Sequence, residues 1–104
     1  MRLSPLQKFI LVEVYANRNK KTHRKLFNRF YQAQKKRPKP YDIQNIITKS
    51  IERLIDRELL MGYGRRTSRK WFIDEVNLTN LGRRIAKTLL GEQQTLPFNK
   101  RRKK

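Results

Sequence analysis

Cysteine is absent from this 104-residue chain, which excludes disulfide bonds, thiolate zinc sites and cysteine nucleophiles. Histidine occurs once, at His23, in a basic run where a surface position is expected rather than a general base or a metal ligand. Asp74 and Glu75 are adjacent, so on a strand they would point to opposite faces. No glycine-rich phosphate-binding loop occurs either. The sequence therefore predicts a protein that is not an enzyme and that holds no cofactor and no metal.

Acidic residues are scarce, since 8 Asp and Glu stand against 27 Lys and Arg and give a formal net charge of +19. Such self-repulsion opposes compaction, so the composition favours a polyanionic partner. Long apolar runs are missing too. The apolar stretch at residues 9–12 is too short for a membrane span or a signal-peptide core. We expect no membrane association and a cytoplasmic location, associated with the nucleoid.

A capping-box pattern marks the start of the first helix. Ser4 can accept a hydrogen bond from the amide of Gln7, Gln7 can bond back to Ser4, and Pro5 fits the first helical position. The helix should run to about Asn17. Its apolar residues, Leu11 among them, cover more than one stripe. Two interpretations stay open with equal weight: burial at the centre of the domain, or contact with a second subunit.

Two further helices are predicted before residue 60. The second should begin with Thr22 as its cap and end near residue 36, where Lys and Pro alternate and break it. The third should cover residues 42–60, with Gly62 and Gly64 ending it and admitting a turn. Its buried side is expected to comprise Ile43, Ile46, Ile47, Ile51, Leu54, Ile55 and Leu59.

The remaining elements are a hairpin and a last helix. Residues 61–66 and 70–78 are predicted to pair as strands because aromatic and β-branched residues favour extended structure. The last helix should begin near Thr79 or Asn80, with Leu81, Ile85, Ala86, Leu89 and Leu90 facing inward. We take residues 1–94 as one domain and residues 95–104 as a basic, flexible C-terminal tail that binds polyanions without sequence preference.

Two segments resemble the winged helix-turn-helix family, including regulators of the MarR and PadR types. Residues 50–60 (SIERLIDRELL) are similar to the end of the family's recognition helix, and residues 76–86 (VNLTNLGRRIA) to its strand exit and final helix start. The resemblance covers roughly residues 4–91. It implies a mainly α fold with a small β-hairpin, in the order α-α-α-β-β-α.

The resemblance implies that the third helix enters the major groove of a DNA duplex. The residues it places there are Gln44, Asn45, Thr48, Lys49 and Arg53. Gln and Asn can bond adenine through two hydrogen bonds, Thr can contact a thymine methyl, and Lys can reach guanine acceptors. A helix face that meets only solvent would have the same polar composition. Because a basic hairpin follows directly, groove contact is favoured.

Basic clusters flank this helix on both sides in sequence. The hairpin tip, residues 65–70 (RRTSRK), carries Arg65, Arg66, Arg69 and Lys70 without an acid, and it is predicted to contact phosphates or a minor groove. Lys20, Lys21, Arg24 and Lys25 are predicted to contact the backbone at the start of the second helix.

The sequence as a whole predicts a protein that binds double-stranded DNA sequence-specifically, acts as a transcriptional regulator, and forms a homodimer through the first and last helices. RNA binding or association with the ribosome is the alternative, because the cation excess and the basic tail of this chain resemble those of ribosomal winged-helix proteins. Nonspecific coating of DNA, and a winged helix that binds an acidic protein, also remain open.

Overall fold

The computed structural model describes residues 2–17 and 21–94. Four α-helices and three strands follow one another, with a 3₁₀ helix at Arg24–Asn28 that leads directly into α2. Their bounds are α1 Pro5–Ala16, β1 Thr22–His23, α2 Arg29–Gln32, α3 Pro40–Asp56, β2 Leu60–Arg66, β3 Trp71–Leu78 and α4 Asn80–Gln94. The predicted mainly α fold with a small hairpin is confirmed, and a third strand, β1, is added to it.

The start of α1 has the predicted capping box. The Ser4 amide donates to Gln7 Oε1 at 2.9 Å, and the Gln7 amide donates to Ser4 Oγ at 3.1 Å. Pro5 occupies the first turn, where its missing N–H leaves no bond unmade. These two bonds satisfy amides that have no partner inside the helix.

The second helix is present, but its predicted cap and bounds were wrong. Thr22 begins a strand rather than capping a helix: Thr22 pairs with Val76 and His23 with Glu75, so the sheet order is β1-β3-β2. The Thr22 side chain is fully buried, and its Oγ1 accepts from Asn17 Nδ2 at 3.0 Å. A β-branched residue fits such an extended, buried position well. The helical segment then ends at Gln32, before the residues at which the prolines were expected to end it.

The end of α3 also differs from the prediction, since the helix stops at Asp56 and Gly62 and Gly64 lie inside β2. Glu58 makes the turn instead, with a φ of 64°. The Glu58 amide donates to the Ile55 carbonyl and the Leu59 amide to the Leu54 carbonyl, both at 2.9 Å. This pair of bonds is the Schellman motif that closes many helices, in which glycine is usual at the left-handed residue.

The core lies between the helices and the inner face of the sheet. α1 packs against α4, α3 and β3, and its Leu11 and Val14 are fully buried within the chain itself. These residues are buried centrally within the domain, and contact of α1 with a second subunit stays a prediction. Ile46 and Leu81, predicted to face inward, are 37% and 38% exposed because they lie at the margins of their helices' apolar stripes. None of the described helices combines the length and hydropathy needed to cross a membrane.

Candidate nucleic-acid interface

One row of polar side chains on α3 points to solvent. Tyr41, Asn45 and Lys49 are four residues apart, which aligns them on one helix face, and all three are exposed. Glu52 and Arg53 are exposed beside them. We call Tyr41, Asn45 and Lys49 the outer stripe. Tyr41, 76% exposed, was not among the predicted site residues; its position one helical turn before Asn45 is the sequence signal that identifies it.

Gln44 and Thr48 form the neighbouring row of α3, which we call the α3 flank, and one arginine covers it. Arg24 Nη2 donates to Thr48 Oγ1 at 2.6 Å, to the Gln44 carbonyl at 3.0 Å and to Gln44 Oε1 at 3.4 Å. Arg24 Nη1 donates to the Ile73 carbonyl of β3 at 3.4 Å. A single guanidinium thus links the 3₁₀ helix, α3 and the sheet.

The side-chain amide of Gln44 is engaged at both ends. Its oxygen accepts from Arg24, and its Nε2 donates to Asn28 Oδ1 at 2.9 Å. Asn45, Lys49 and Arg53 are therefore presented to solvent. Gln44 is exposed as well and Thr48 is half-buried, but the polar side-chain atoms of both are bonded to the rest of the domain.

Arg24 was predicted to contact a nucleic-acid backbone, but its guanidinium faces the protein. Burial lowers the pKa of Arg24 from its ordinary value, and the nearby Asp74 and Glu52 act in the opposite direction. The side chain stays charged because the ordinary arginine pKa lies so far above neutrality. A half-buried charge of this kind needs the hydrogen bonds that the α3 flank supplies.

Three of the four cations at the hairpin tip lie against aromatic rings. β2 and β3 are antiparallel, with Arg65 opposite Phe72 and Arg66 opposite Trp71. The Arg66 guanidinium lies 4.4 Å from the centre of the Trp71 ring, and Arg65 lies 5.3 Å from that of Phe72. Lys70 Nζ is 5.1 Å from the same Phe72 ring. These contacts restrain the cations while leaving them exposed, as the whole tip is.

Thr67 closes the turn at the tip. Its hydroxyl accepts from the amides of Lys70 at 3.0 Å and Arg69 at 3.3 Å, and it donates to the Lys70 carbonyl, also at 3.0 Å. The Thr67 amide donates to the same carbonyl at 2.8 Å. The backbone at the tip is therefore satisfied internally, and the Arg69 side chain remains exposed.

The described residues of the predicted cluster around the start of the 3₁₀ helix lie in different surroundings. Lys21 is exposed, with its Nζ 4.1 Å from the centre of the Tyr63 ring, and Lys25 is exposed beside Arg24. Lys20 and the C-terminal tail, residues 95–104, lie outside the described residues. Within the described part of the chain, no group of three or more His, Cys, Asp or Glu is arranged to hold a metal ion.

No protein-family model matches the sequence, and no curated protein matches it. Solved structures do match. The adhesin competence repressor AdcR from Streptococcus pyogenes is similar with a TM-score of 0.64 and 19% identity, over 96% of this chain and 65% of that one. A mutant of ZitR from Lactococcus lactis has a TM-score of 0.64 and 16% identity, over 97% of this chain and 60% of that one.

These similarities confirm the winged-helix fold predicted from residues 50–60 and 76–86. The chain spans less than two thirds of the length of either protein. At such low identity the likeness concerns the fold, and membership of the MarR or PadR type stays a prediction.

Proposed function

We propose that this protein binds double-stranded DNA sequence-specifically and regulates transcription, working at the nucleoid in the cytoplasm. The observation that carries the proposal is the pairing, in one winged helix, of an exposed polar stripe on α3 with an exposed hairpin tip that has four cations and no acid. A helix of this size fits the major groove, and a basic hairpin can reach adjacent phosphates. One structural neighbour is named as a repressor, which supports a role in transcriptional regulation.

In this proposal, α3 reads the bases and the hairpin tip contacts the phosphates or the minor groove. Asn45 and Lys49 have the chemistry to read adenine and guanine edges, and Arg53 lies exposed near them. Arg65, Arg66, Arg69 and Lys70 neutralise phosphates or enter a narrow minor groove. Together with Lys21 and Lys25, they give about six phosphate contacts and a log–log salt slope near −5.

A homodimer through α1 and α4 is part of the proposal, since a two-fold protein reads a pseudo-palindromic site with half-sites about one helical turn apart. One feature weighs against a tight contact there. The groove between these helices is lined by Tyr15, Asn80, Arg83, Arg84 and Lys87, so a two-fold contact brings like charges together. We therefore expect dimerisation to strengthen as salt rises, which sedimentation velocity measures.

RNA binding is the second candidate, and Tyr41 is the observation that favours it. An aromatic ring that is 76% exposed at the start of α3 is suited to stacking on an unpaired base. Phe72 at the hairpin tip is 39% exposed, although Arg65 and Lys70 lie over its ring.

A competition titration tests the proposal. A duplex selected from a random library is labelled and challenged with random duplex and with structured RNA across several salt concentrations. We expect that displacing the labelled selected duplex takes at least about a hundredfold more random duplex than displacing a labelled random duplex does. Equal competition by all duplexes would show nonspecific coating, and stronger competition by RNA would transfer the function to RNA.

Asn45→Ala is the matched variant for base reading, with Thr88→Ala, an exposed polar position on α4, as its control. We expect Asn45→Ala to reduce the preference for the selected duplex by about 1–3 kcal/mol and to leave the salt slope unchanged. Thr88→Ala should change neither quantity. Full discrimination in Asn45→Ala would remove α3 from the reading of bases.

A further inference from the structure

Arg24 belongs to the predicted cationic cluster by sequence, yet its contacts place it in a different role. We infer that Arg24 is a positioning residue that fixes the α3 flank against the sheet and leaves the outer stripe to read the nucleic acid. The reading role rests on the proposed function, whereas the positioning role concerns the free protein and does not depend on it.

The geometry supports this assignment because Arg24 bonds to acceptors that are far apart in the chain. Its Nη2 reaches the backbone of Gln44, 20 residues away, and its Nη1 reaches the backbone of Ile73, 49 residues away. Both carbonyls are fixed parts of regular elements, α3 and β3. A rigid, planar guanidinium that holds both of them limits how α3 can slide or rotate on the sheet.

The same bonds determine what Gln44 can do. A carboxamide recognises adenine through its oxygen and its nitrogen together. In this protein the oxygen accepts from Arg24 and the nitrogen donates to Asn28. Base recognition by Gln44 would have to use its remaining lone pair and N–H in the orientation that these two bonds fix, or break them and leave the half-buried Arg24 less satisfied. The side chains that meet a base without such a cost are Asn45 and Lys49 on the outer stripe.

Lys25 provides a matched comparison, because it is the next residue, carries the same charge and is exposed. Lysine in place of Arg24 keeps the charge but replaces the planar fork by a compact ammonium on a flexible stem. A phosphate contact tolerates that exchange, whereas a positioning residue with acceptors on two elements does not.

The first experiment needs no nucleic acid. Heteronuclear NMR spectra of the full chain would be compared for wild type, Arg24→Lys, Arg24→Ala and Lys25→Ala, with near-ultraviolet circular dichroism to verify folding. We expect the side-chain amide signals of Gln44 and the backbone amide signals around Thr48 to move in both Arg24 variants and to stay in place in Lys25→Ala. Unchanged Gln44 signals in a folded Arg24→Lys would overturn the inference.

The second experiment uses the selected duplex and random duplex over a range of salt concentrations. We expect Arg24→Lys and Arg24→Ala to lower the preference for the selected duplex about tenfold while the salt slope stays constant. Lys25→Ala should lower the magnitude of the slope by about 0.9 and keep the preference. A loss of slope in Arg24→Ala with intact preference would identify Arg24 as a phosphate contact. If wild type itself prefers no duplex, the proposed function fails, and the NMR comparison still decides the role of Arg24.

Discussion

The α3 flank and the hairpin tip are both rich in hydrogen-bonding groups, but they are held together in opposite ways. At the flank, Arg24 joins residues 20 and 49 positions away, so its order depends on the completed fold. At the tip, Thr67 bonds to Arg69 and Lys70. Arg65 and Arg66 each lie on a ring directly across the hairpin. Long-range bonds orient a helix, while short-range bonds present charge without anchoring it to the core.

The two regions also differ in what their charges can do. Arg24 is half-buried and its Nη atoms donate to protein acceptors, so its guanidinium is directed at the domain and not at a ligand. The tip cations are exposed, and their interactions with phosphate are screened by salt. The tip should therefore control affinity and its salt dependence, and α3 should control the choice of sequence.

Removal of the tip charges is the change with the largest expected effect. Replacing Arg65, Arg66 and Arg69 with Ala should weaken binding to every duplex and lower the magnitude of the log–log salt slope by about 3, since each phosphate contributes about 0.9. Fluorescence anisotropy titrations across salt concentrations measure both quantities. A control triple variant with Lys8, Lys35 and Lys36 replaced by Ala removes the same net charge from exposed positions outside the hairpin tip, α3 and the groove between α1 and α4. Equal losses in the two triple variants would mean that net charge, rather than the tip, drives binding.

A single methyl group at Gly64 should disturb the hairpin without removing any charge. A Cβ atom there would collide with the carbonyl oxygen of Phe72, next to the register shift between Tyr63 and Gly64. We expect Gly64→Ala to lower the free energy of unfolding by about 1–3 kcal/mol in urea denaturation. Gly91→Ala is the control, because among the described residues nothing beyond its chain neighbours and its own helix backbone lies within 4 Å of where the Cβ atom would be. In a helix it should raise the free energy of unfolding by about 0.5–1 kcal/mol. A neutral Gly64→Ala would show that the strands separate at little cost at this point.

Local patterns in the sequence were sufficient for much of the fold. The capping box at Ser4 and Gln7, the aromatic strand at Trp71 and Phe72 and the resemblance in residues 76–86 all concern neighbours in the chain, and the structure agrees with each. β1 was missed because a two-residue strand in a basic run shows no alternation. Its stability comes from pairing with β3, about fifty residues further along.

The candidate site also has one part that the sequence predicts and another that depends on distant contacts. The exposure of Arg65, Arg66, Arg69 and Lys70 follows from a charged turn between two strands, which is visible in the sequence. The engagement of Gln44 and Thr48 was not visible, because a polar residue on a helix face looks the same whether water or a distant arginine meets it. Only the packing of the 3₁₀ helix on α3 brings Arg24 to that row.

The turn that joins α3 to the hairpin gives the smallest predicted effect. Glu58 has the left-handed backbone that an L-residue adopts at a cost of about 1–2 kcal/mol, and its carbonyl accepts from the Thr79 hydroxyl at 2.6 Å. Glu58→Gly removes that cost but adds about 0.5–1 kcal/mol of backbone entropy to the unfolded chain. We therefore expect the free energy of unfolding to rise by roughly 0.5–1 kcal/mol in chemical denaturation.

Glu58→Ala separates the backbone effect from the carboxylate, because it removes the charge and keeps the Cβ atom. It should leave the free energy of unfolding within about 0.5 kcal/mol of wild type, as exposed substitutions generally do. If Ala and Gly stabilised the protein equally, the gain would come from the lost charge and not from the left-handed turn. If Gly alone changed the preference for the selected duplex, the stiffness of this turn would itself set how α3 and the hairpin tip meet their target together.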